Sequence, residues 1–464
     1  MKKIFFLLFV LFFSIISLHA QIITTWAGRG KGTLQHPNGD SSYKSLAKFF
    51  VPGFGYFDKY GNYLMIDGVA RVRKIDTNGI VTSIAGNDIS GFSGIGGPAA
   101  LSQISNLSSK IVTDSRNNIY FSIISSATGA GRVLKIDTQT GIISVFAGNG
   151  LAGNYGINGP AINARFNGIN SICFDKYDNM YLLGDWLIRK IDTNGILTKI
   201  AGTGTKGYAQ NGSKADTALL GNLSDICIDT SNNIYIVDGF YNVIRKIDST
   251  GIITTIAGTL AGFMYNGDSL LAVNAMIQPA LIALDKSRNL YFADRFNNLV
   301  RVVKPNGMLY TIAGTGALGY SGDGGPANLA TFNYPNGIAI DKCGNLYVPD
   351  KSNLCVRKIN LYPDCADTIG RYFTPTAVSS LKYNDVASQI NIYPNPVQTD
   401  LFIDHNALSP INYSIFAINS DIALQEGEVY GEKSKINVAL LPKGVYIIKF
   451  TIDGTTVFHK FIKE

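Results

Sequence analysis

The sequence predicts an all-β protein: a six-bladed β-propeller closed by its N-terminal strand and followed by a small C-terminal β-sandwich. Three observations carry this. Ile226–Gly258 holds four short apolar runs, ICID, IYIVD, VIRKI and IITTIAG, separated by polar turns; β-branched and aromatic runs punctuated by Gly, Asn, Asp and Ser read as antiparallel strands. The unit recurs, its closing glycine falling at Gly28, Gly86, Gly148, Gly202, Gly258 and Gly314, with the last three 56 residues apart. Finally, the partial copies at the two ends complement each other. IITTWAG (Ile22–Gly28) is a fourth run with nothing before it, whereas the last copy supplies IAID, NLYVPD and CVRKIN and stops at Asn360 without a fourth. A four-strand unit with two apolar faces must stack on its copies, and radial stacking leaves only short, protected edges.

The segments follow in order. Met1–Ala20 has a basic start at Lys2 and Lys3, an apolar run and a small-residue end, the pattern of an export signal. With 46% hydrophobic and 16% charged residues and 49 glycines, the remainder reads as a folded, turn-dense β protein. The second run occurs as NYLMID, NIYFSI, NMYLLG, NIYIVD, NLYFAD and NLYVPD, hence six blades across residues 21–362. First runs, short and rich in Ile and Ala, are assigned innermost, and the Thr-rich fourth runs outermost. The connectors between blades are about 20 residues long, as from Thr259 to Gln278, a length that usually signals function. They contain PAALSQI, PAINARF and PANLATF, each expected to form one or two helical turns opened by Pro. The surface they line is the candidate binding face. Residues 363–389 read as a linker and 390–464 as a β-sandwich.

FDKYGNYLMID from Phe57, CIDTSNNIYIVD from Cys227 and AIDKCGNLYVPD from Ala339 each lead into an Arg-containing run. They resemble the NHL repeat from Gln21 to Asn360. The resemblance implies a six-bladed propeller used as a protein or RNA platform, as an extracellular sensor or, in one branch, as a lyase with a histidine-based zinc site. After the leader only His36, His405 and His459 remain, one of them in the propeller, so that site cannot be built. The C-terminal region resembles the type A sorting domain of the type IX secretion system through Tyr393-Pro394-Asn395-Pro396, Leu441–Tyr446 (which includes Gly444) and the basic end Lys460–Lys463. That implies a Gram-negative bacterium of the Bacteroidota type, passage through the periplasm, and recognition by the outer-membrane machinery. Cleavage, with release or attachment to surface lipopolysaccharide, would follow.

Candidate site residues come from the repeat. Asp67, Asp238, Asp294 and Asp350 end second strands, with Ile123 and Gly184 breaking the series. They could form a carboxylate ring holding calcium, or could accept hydrogen bonds from the turn that follows each, as in Asp294-Arg295-Phe296-Asn297-Asn298, the favoured reading. Asp58, Asp114, Asp175, Asp229, Asp285 and Asp341 end all six first strands and read as turn formers. Tyr320-Ser321-Gly322-Asp323-Gly324-Gly325 invites a phosphate or metal reading, but no Lys-Ser/Thr follows, and a special backbone conformation explains it better. The third-strand bases Arg73, Lys74, Lys135, Arg189, Lys190, Arg245, Lys246, Arg301, Arg357 and Lys358 form a repeated belt. A net charge of +7 is modest for RNA binding, and solvated side chains paired with nearby acids are expected instead. Phe92, Tyr155, Tyr208, Tyr265 and Tyr320 recur on the connectors, as rings that grip a ligand or as anchors that hold each loop down.

Cys173 and Cys227 read as small core residues. Cys343, Cys355 and Cys365 cluster at the propeller's end, where export makes one disulfide expected, with Cys355–Cys365 as the candidate. Two function classes stand: an exported recognition propeller that binds a protein or glycan without a cofactor and without nucleic acid, or a calcium-dependent hydrolase or lactonase-like propeller.

Overall fold

A computed structural model describes residues 21–28, 42–362 except 69, 108–109 and 126, and 390–463 except 394–396, 406–410, 418–423, 431–432, 443 and 453–454. The expected leader, His36, the linker 363–389, Cys365 and Pro394–Pro396 lie outside the described residues. The chain divides into two compact units, residues 1–365 and 366–464.

In the repeat at Ile226–Gly258, strands Leu223–Ile228, Ile234–Asp238, Val243–Ile247 and Ile252–Ala257 pair antiparallel in sequence order. The first turn is made by Asp229. Its carboxylate accepts the Ser231 and Asn233 N–H groups at 2.9 Å, the Asn233 amide at 2.7 Å and the Tyr235 hydroxyl at 3.2 Å. Asp58, Asp114, Asp175, Asp285 and Asp341 likewise each hold the Asn four residues on, so a local hydrogen bond sets this turn around the whole ring. The closing glycine also has a physical reason. Gly258 has φ +91°, and a Cβ there would run into the Asn242 carbonyl; Gly314 has φ +99° and meets the Asn298 carbonyl the same way. Only glycine satisfies both conditions.

Six such sheets are present, and closure follows the complementary ends. Ile22–Ala27 pairs antiparallel with Cys355–Asn360, Ile22 opposite Asn360 and Thr25 opposite Arg357, and completes the last blade. The core consists of apolar layers between consecutive blades: Leu64 with Phe121 for blades 1 and 2, Tyr120 with Leu182 for 2 and 3, Leu183 with Ile236 for 3 and 4. The series continues with Val237 and Phe292 for blades 4 and 5 and Tyr291 and Val348 for 5 and 6. Tyr347 with Tyr63 closes blade 6 on blade 1. Each second strand is therefore buried on both faces.

The connectors do more than line a face. Gly159–Pro160 pairs with Ile196 and Leu197, Ser213–Lys214 with Ile252 and Ile253, and Leu270–Leu271 with Met308 and Leu309. Each of these three connectors thus crosses to the outer edge of the blade it leads into and adds a fifth strand there, which covers an otherwise open edge. It then makes a single 3-10 turn, as at Ala161–Asn163 and Ala327–Leu329, directly after Pro160 and Pro326.

The cysteine expectation needs correction. Cys355 is a free thiol, fully buried in the third strand of blade 6. Cys343, half-buried in the preceding turn, is the disulfide-bonded one. Cys173 and Cys227 are free.

The second unit has two sheets. One orders Ile390–Tyr393, Asp400–His405 and Lys433–Asn437; the other orders Gln425–Val429, Ile411–Ala417, Gly444–Ile452 and Thr455–Lys463. Leu401, Ile403, Ile415, Ile436, Ile448 and Phe450 fill the space between them, a small β-sandwich.

Candidate functional site

The third-strand arginines are the largest fully buried side chains of the propeller: Arg73, Arg189, Arg245, Arg301 and Arg357. The expectation of solvated bases is corrected for them. Each arginine stands as a pillar under the connector that folds over its blade. Arg245 donates to the Ala209 carbonyl at 2.8 Å, Arg301 to Gly267 at 2.7 Å and Arg357 to Ser321 at 3.0 Å. A guanidinium offers five donors in a fixed plane, so it can serve a carboxylate and a loop carbonyl at once. The lysines beside them are half-buried over cross-strand tyrosines, Lys190 over Tyr181 and Lys246 over Tyr235.

The second-strand aspartates face these pillars and do not converge on one another. Asp67 meets Arg73 at 3.3 Å, Asp294 meets Arg301 at 3.5 Å and Asp350 meets Arg357 at 3.6 Å. Each also receives the incoming connector: Asp238 accepts the Gly221 N–H, Asp294 that of Gln278 and Asp350 that of Asn333, all within 2.7–2.8 Å. Where Gly184 breaks the series, Asp185 supplies the acid, 2.9 Å from Arg189. Asp323 is likewise engaged, 2.9 Å from Arg357 and accepting the Thr25 hydroxyl at 2.6 Å. Among the described residues no group of three or more His, Cys, Asp or Glu side chains is placed to hold a metal ion.

Burial outweighs the nearby N–H groups and arginines and pushes the Asp294 and Asp350 carboxyls up to about 6. The folded chain therefore keeps protons on these groups that the unfolded chain has already released. Their stabilising contribution is complete below the ordinary carboxylate range and is lost as pH rises through about 6. The stability of the wild type relative to a D294N/D350N variant is expected to fall between about pH 4 and pH 7, read by denaturant midpoints. A flat difference across that range contradicts the assignment.

The five connector aromatics lie against arginines. Phe92 covers Arg132 at 4.1 Å, Tyr208 covers Arg245 at 4.6 Å, Tyr265 covers Arg301 at 5.2 Å and Tyr320 covers Arg357 at 5.1 Å. Tyr155 lies 5.9 Å from Arg165, a connector residue. One face of each ring is occupied by a cation.

A second set of rings escaped the sequence reading. The turns between second and third strands carry Trp186, Phe240 and Phe296, which come up beside the connectors. Phe296 contacts Phe263 at 6.2 Å and Tyr334 at 5.6 Å, and the Trp186 indole N–H donates to Asn222. Phe240, Phe263, Phe296 and Tyr334 are 37–51% exposed. Phe240 and Phe296 fall 56 residues apart at one point of the repeat, a periodic signal in turns such as GFYN and RFNN, whereas Trp186, Phe263 and Tyr334 have no aromatic counterpart in the neighbouring blades.

At the centre, Asp225 joins four blades. It accepts the Ser171 hydroxyl at 2.7 Å and the Ile282 N–H at 2.8 Å, and it pairs with Lys110 at 3.0 Å. Burial alone would lower the Lys110 pKa, but Asp225 and the thiols of Cys173 and Cys227 outweigh it and raise it.

In the C-terminal sandwich, the strand beginning at Gly444 pairs along its length with Thr455–Lys463, placing Gly444 opposite Lys463, Tyr446 opposite Phe461 and Ile447 opposite Lys460. Tyr446 is buried, stacks on Phe461 at 5.4 Å and donates to the Pro442 carbonyl. Tyr393 pairs with Phe402. The profile of the secretion system C-terminal sorting domain matches residues 391–464. The chain ends in a type IX sorting domain. It is exported to the cell surface or the extracellular space.

The propeller is of the NHL type. It is similar to NHL repeat-containing protein 2 of Gallus gallus, 30% identical over 178 residues that span 36% of this chain and 24% of that protein. It is also similar to human teneurin-1, 27% identical over 230 residues, 44% of this chain. The chain spans only 8% of the length of that relative. Among solved structures, an auxiliary nutrient binding protein from Bacteroides ovatus has TM-score 0.54 at 18% identity, covering 73% of this chain and 76% of its own. One from Bacteroides thetaiotaomicron has TM-score 0.53 at 18% identity with the same coverage. The sorting domain and the NHL propeller make this a secreted surface propeller.

Proposed function

We propose that the propeller is a recognition module that holds an extracellular glycan or protein on its connector face. The observation that carries this reading is the contiguous exposed cluster Phe263, Phe296 and Tyr334, with Phe240 on the neighbouring blade. Rings in open contact with solvent, held by rigid turns, give large contact area at little conformational cost. The Bacteroides neighbours with the same fold are nutrient binding proteins, which is the same class of task. The sorting domain engages the secretion machinery; attachment of the released propeller to lipopolysaccharide is part of this proposal. The hydrolase reading would draw calcium ligands from Asp238, Asp294 and Asp350, which already serve connector N–H groups, so recognition is preferred.

The test is a glycan array and a surface-protein capture with the secreted protein and an F296A/Y334A variant. Losing two stacking rings is expected to weaken binding about tenfold or more. Equal binding by the two proteins, with equal melting temperatures, would place recognition elsewhere.

A further inference from the structure

The aromatic cluster adjoins a cation that no described residue answers. Arg295 opens the turn between the second and third strands of blade 5, immediately before Phe296. Burial pulls its pKa down with no acid offsetting it, and its buried Nε has no hydrogen-bond partner. Arg245, Arg301 and Arg357 also leave Nε unpartnered, but each engages a connector carbonyl through its other nitrogens. Among the described residues the Arg295 guanidinium engages neither. The equivalent positions are Gly239 in blade 4 and Lys351 in blade 6, so the fold does not demand arginine here.

Two amides at the same junction are also unanswered. The Arg295 N–H donates to the Gln278 carbonyl at 3.0 Å, which places Gln278 beside it. Strand register makes Gln278 equivalent to Asn222 and Tyr334, each preceding the residue opposite a second-strand Asp. Asn242 is equivalent to Trp186 and Asn298, whose carbonyls all abut a closing glycine. In blades 3 and 4 the pair is linked by Trp186 donating to Asn222 at 3.2 Å, and in blades 5 and 6 by Tyr334 donating to Asn298 at 3.2 Å. Between blades 4 and 5 the pair is Asn242 and Gln278, and there both side-chain oxygens are buried without partners. Lys206, over Phe240 at 3.2 Å, adds a second positive charge.

We propose that the junction of blades 4 and 5 on the connector face is a subsite for a uronic acid residue of an extracellular glycan, with the terminal nitrogens of Arg295 taking the carboxylate and Phe296, the next residue, the sugar face. This rests on the recognition reading and narrows it to acidic sugar chains. The logic is complementarity: an uncompensated half-buried guanidinium favours a planar carboxylate, and an exposed ring suits the apolar face of a pyranose.

The test uses the full secreted protein and calorimetry with oligogalacturonate, oligomannuronate and oligoguluronate, against neutral galacto-oligosaccharides of equal length. At least one uronate chain is expected to bind about tenfold more tightly than the neutral chains, the scale of one charge-assisted hydrogen bond. R295Q should erase that preference and F296A should weaken both classes, with unchanged melting temperatures as the folding control. A wild type that prefers neutral chains, or an R295Q variant that keeps the acidic preference, overturns the subsite. If neutral chains bind equally well and F296A abolishes them, the recognition face stands and this inference fails. If no glycan binds, the inference fails, and the protein-capture arm with F296A/Y334A judges the wider reading.

Discussion

Removing Ile22–Gly28 from the secreted protein is expected to unfold the propeller. This strand supplies the outer edge of blade 6, and it also binds the last connector, with Ile23 N–H donating to Gly325 and Gly324 N–H to the Ile23 carbonyl. Trp26 then packs edge-on against Tyr347 at 4.9 Å and Tyr63 at 5.2 Å, and Phe57 meets Tyr347 at 4.6 Å. Those rings belong to blades 6 and 1, so one strand both completes a sheet and seals the ring. Burial of Ile23, Ala27 and much of Trp26 contributes roughly 5 kcal/mol or more, comparable with the whole stability of a typical domain at about 5–15 kcal/mol. Truncation also exposes Cys355–Asn360 as an open edge that invites pairing between molecules. The expected results are loss of the cooperative melt and soluble aggregates in size-exclusion chromatography, with partial recovery when a peptide of residues 21–28 is added. A truncated protein that melts within about 2 °C of the intact one would show that closure contributes little.

Asp225→Ala is expected to be the most damaging single substitution away from the strand ends. It leaves Lys110 without its acid, the Ile282 N–H without an acceptor and the Ser171 hydroxyl without its partner. Breaking a buried ion pair from one side costs about 3–5 kcal/mol, because the remaining charge stays desolvated, and each orphaned donor adds about 1 kcal/mol or more. The denaturant midpoint should fall accordingly. A K110M/D225N double variant should recover much of the loss, since removing both charges also removes the penalty. A double variant no more stable than D225A would mean that the carboxylate works through the Ile282 and Ser171 hydrogen bonds and not through the ion pair.

The sandwich fold and the sorting role of the last domain were legible because they depend on local patterns: alternation along strands such as Gly444–Ile452, and a tyrosine, glycine and basic end at set positions. The repeat was equally legible. Its signals are periodic and local, an aspartate that bonds the turn two to four residues on and a glycine that must take positive φ against a neighbouring carbonyl. Even ring closure could be read, because a fourth strand absent at one end and present at the other can be satisfied in only one way.

What could not be read is what lies opposite what. The belt of arginines looked like a surface feature because charge in a sequence says nothing of burial; only the fold shows a connector laid over each one, with a ring above and an aspartate beside it. The Cys355 thiol is free because its strand is sealed by Ile22–Ala27, more than 300 residues away in sequence. Lys110, Ser171 and Asp225 carry no motif and come from three blades, and Phe263, Phe296 and Tyr334 come from three different loops. Sequence by itself determined the repeated sheets, their number and their closure, since hydrogen bonds within a blade act over a few residues. Tertiary structure alone decided which charges are answered and which, like Arg295, meet no acid among the described residues, because that depends on neighbours brought together by stacking whole blades.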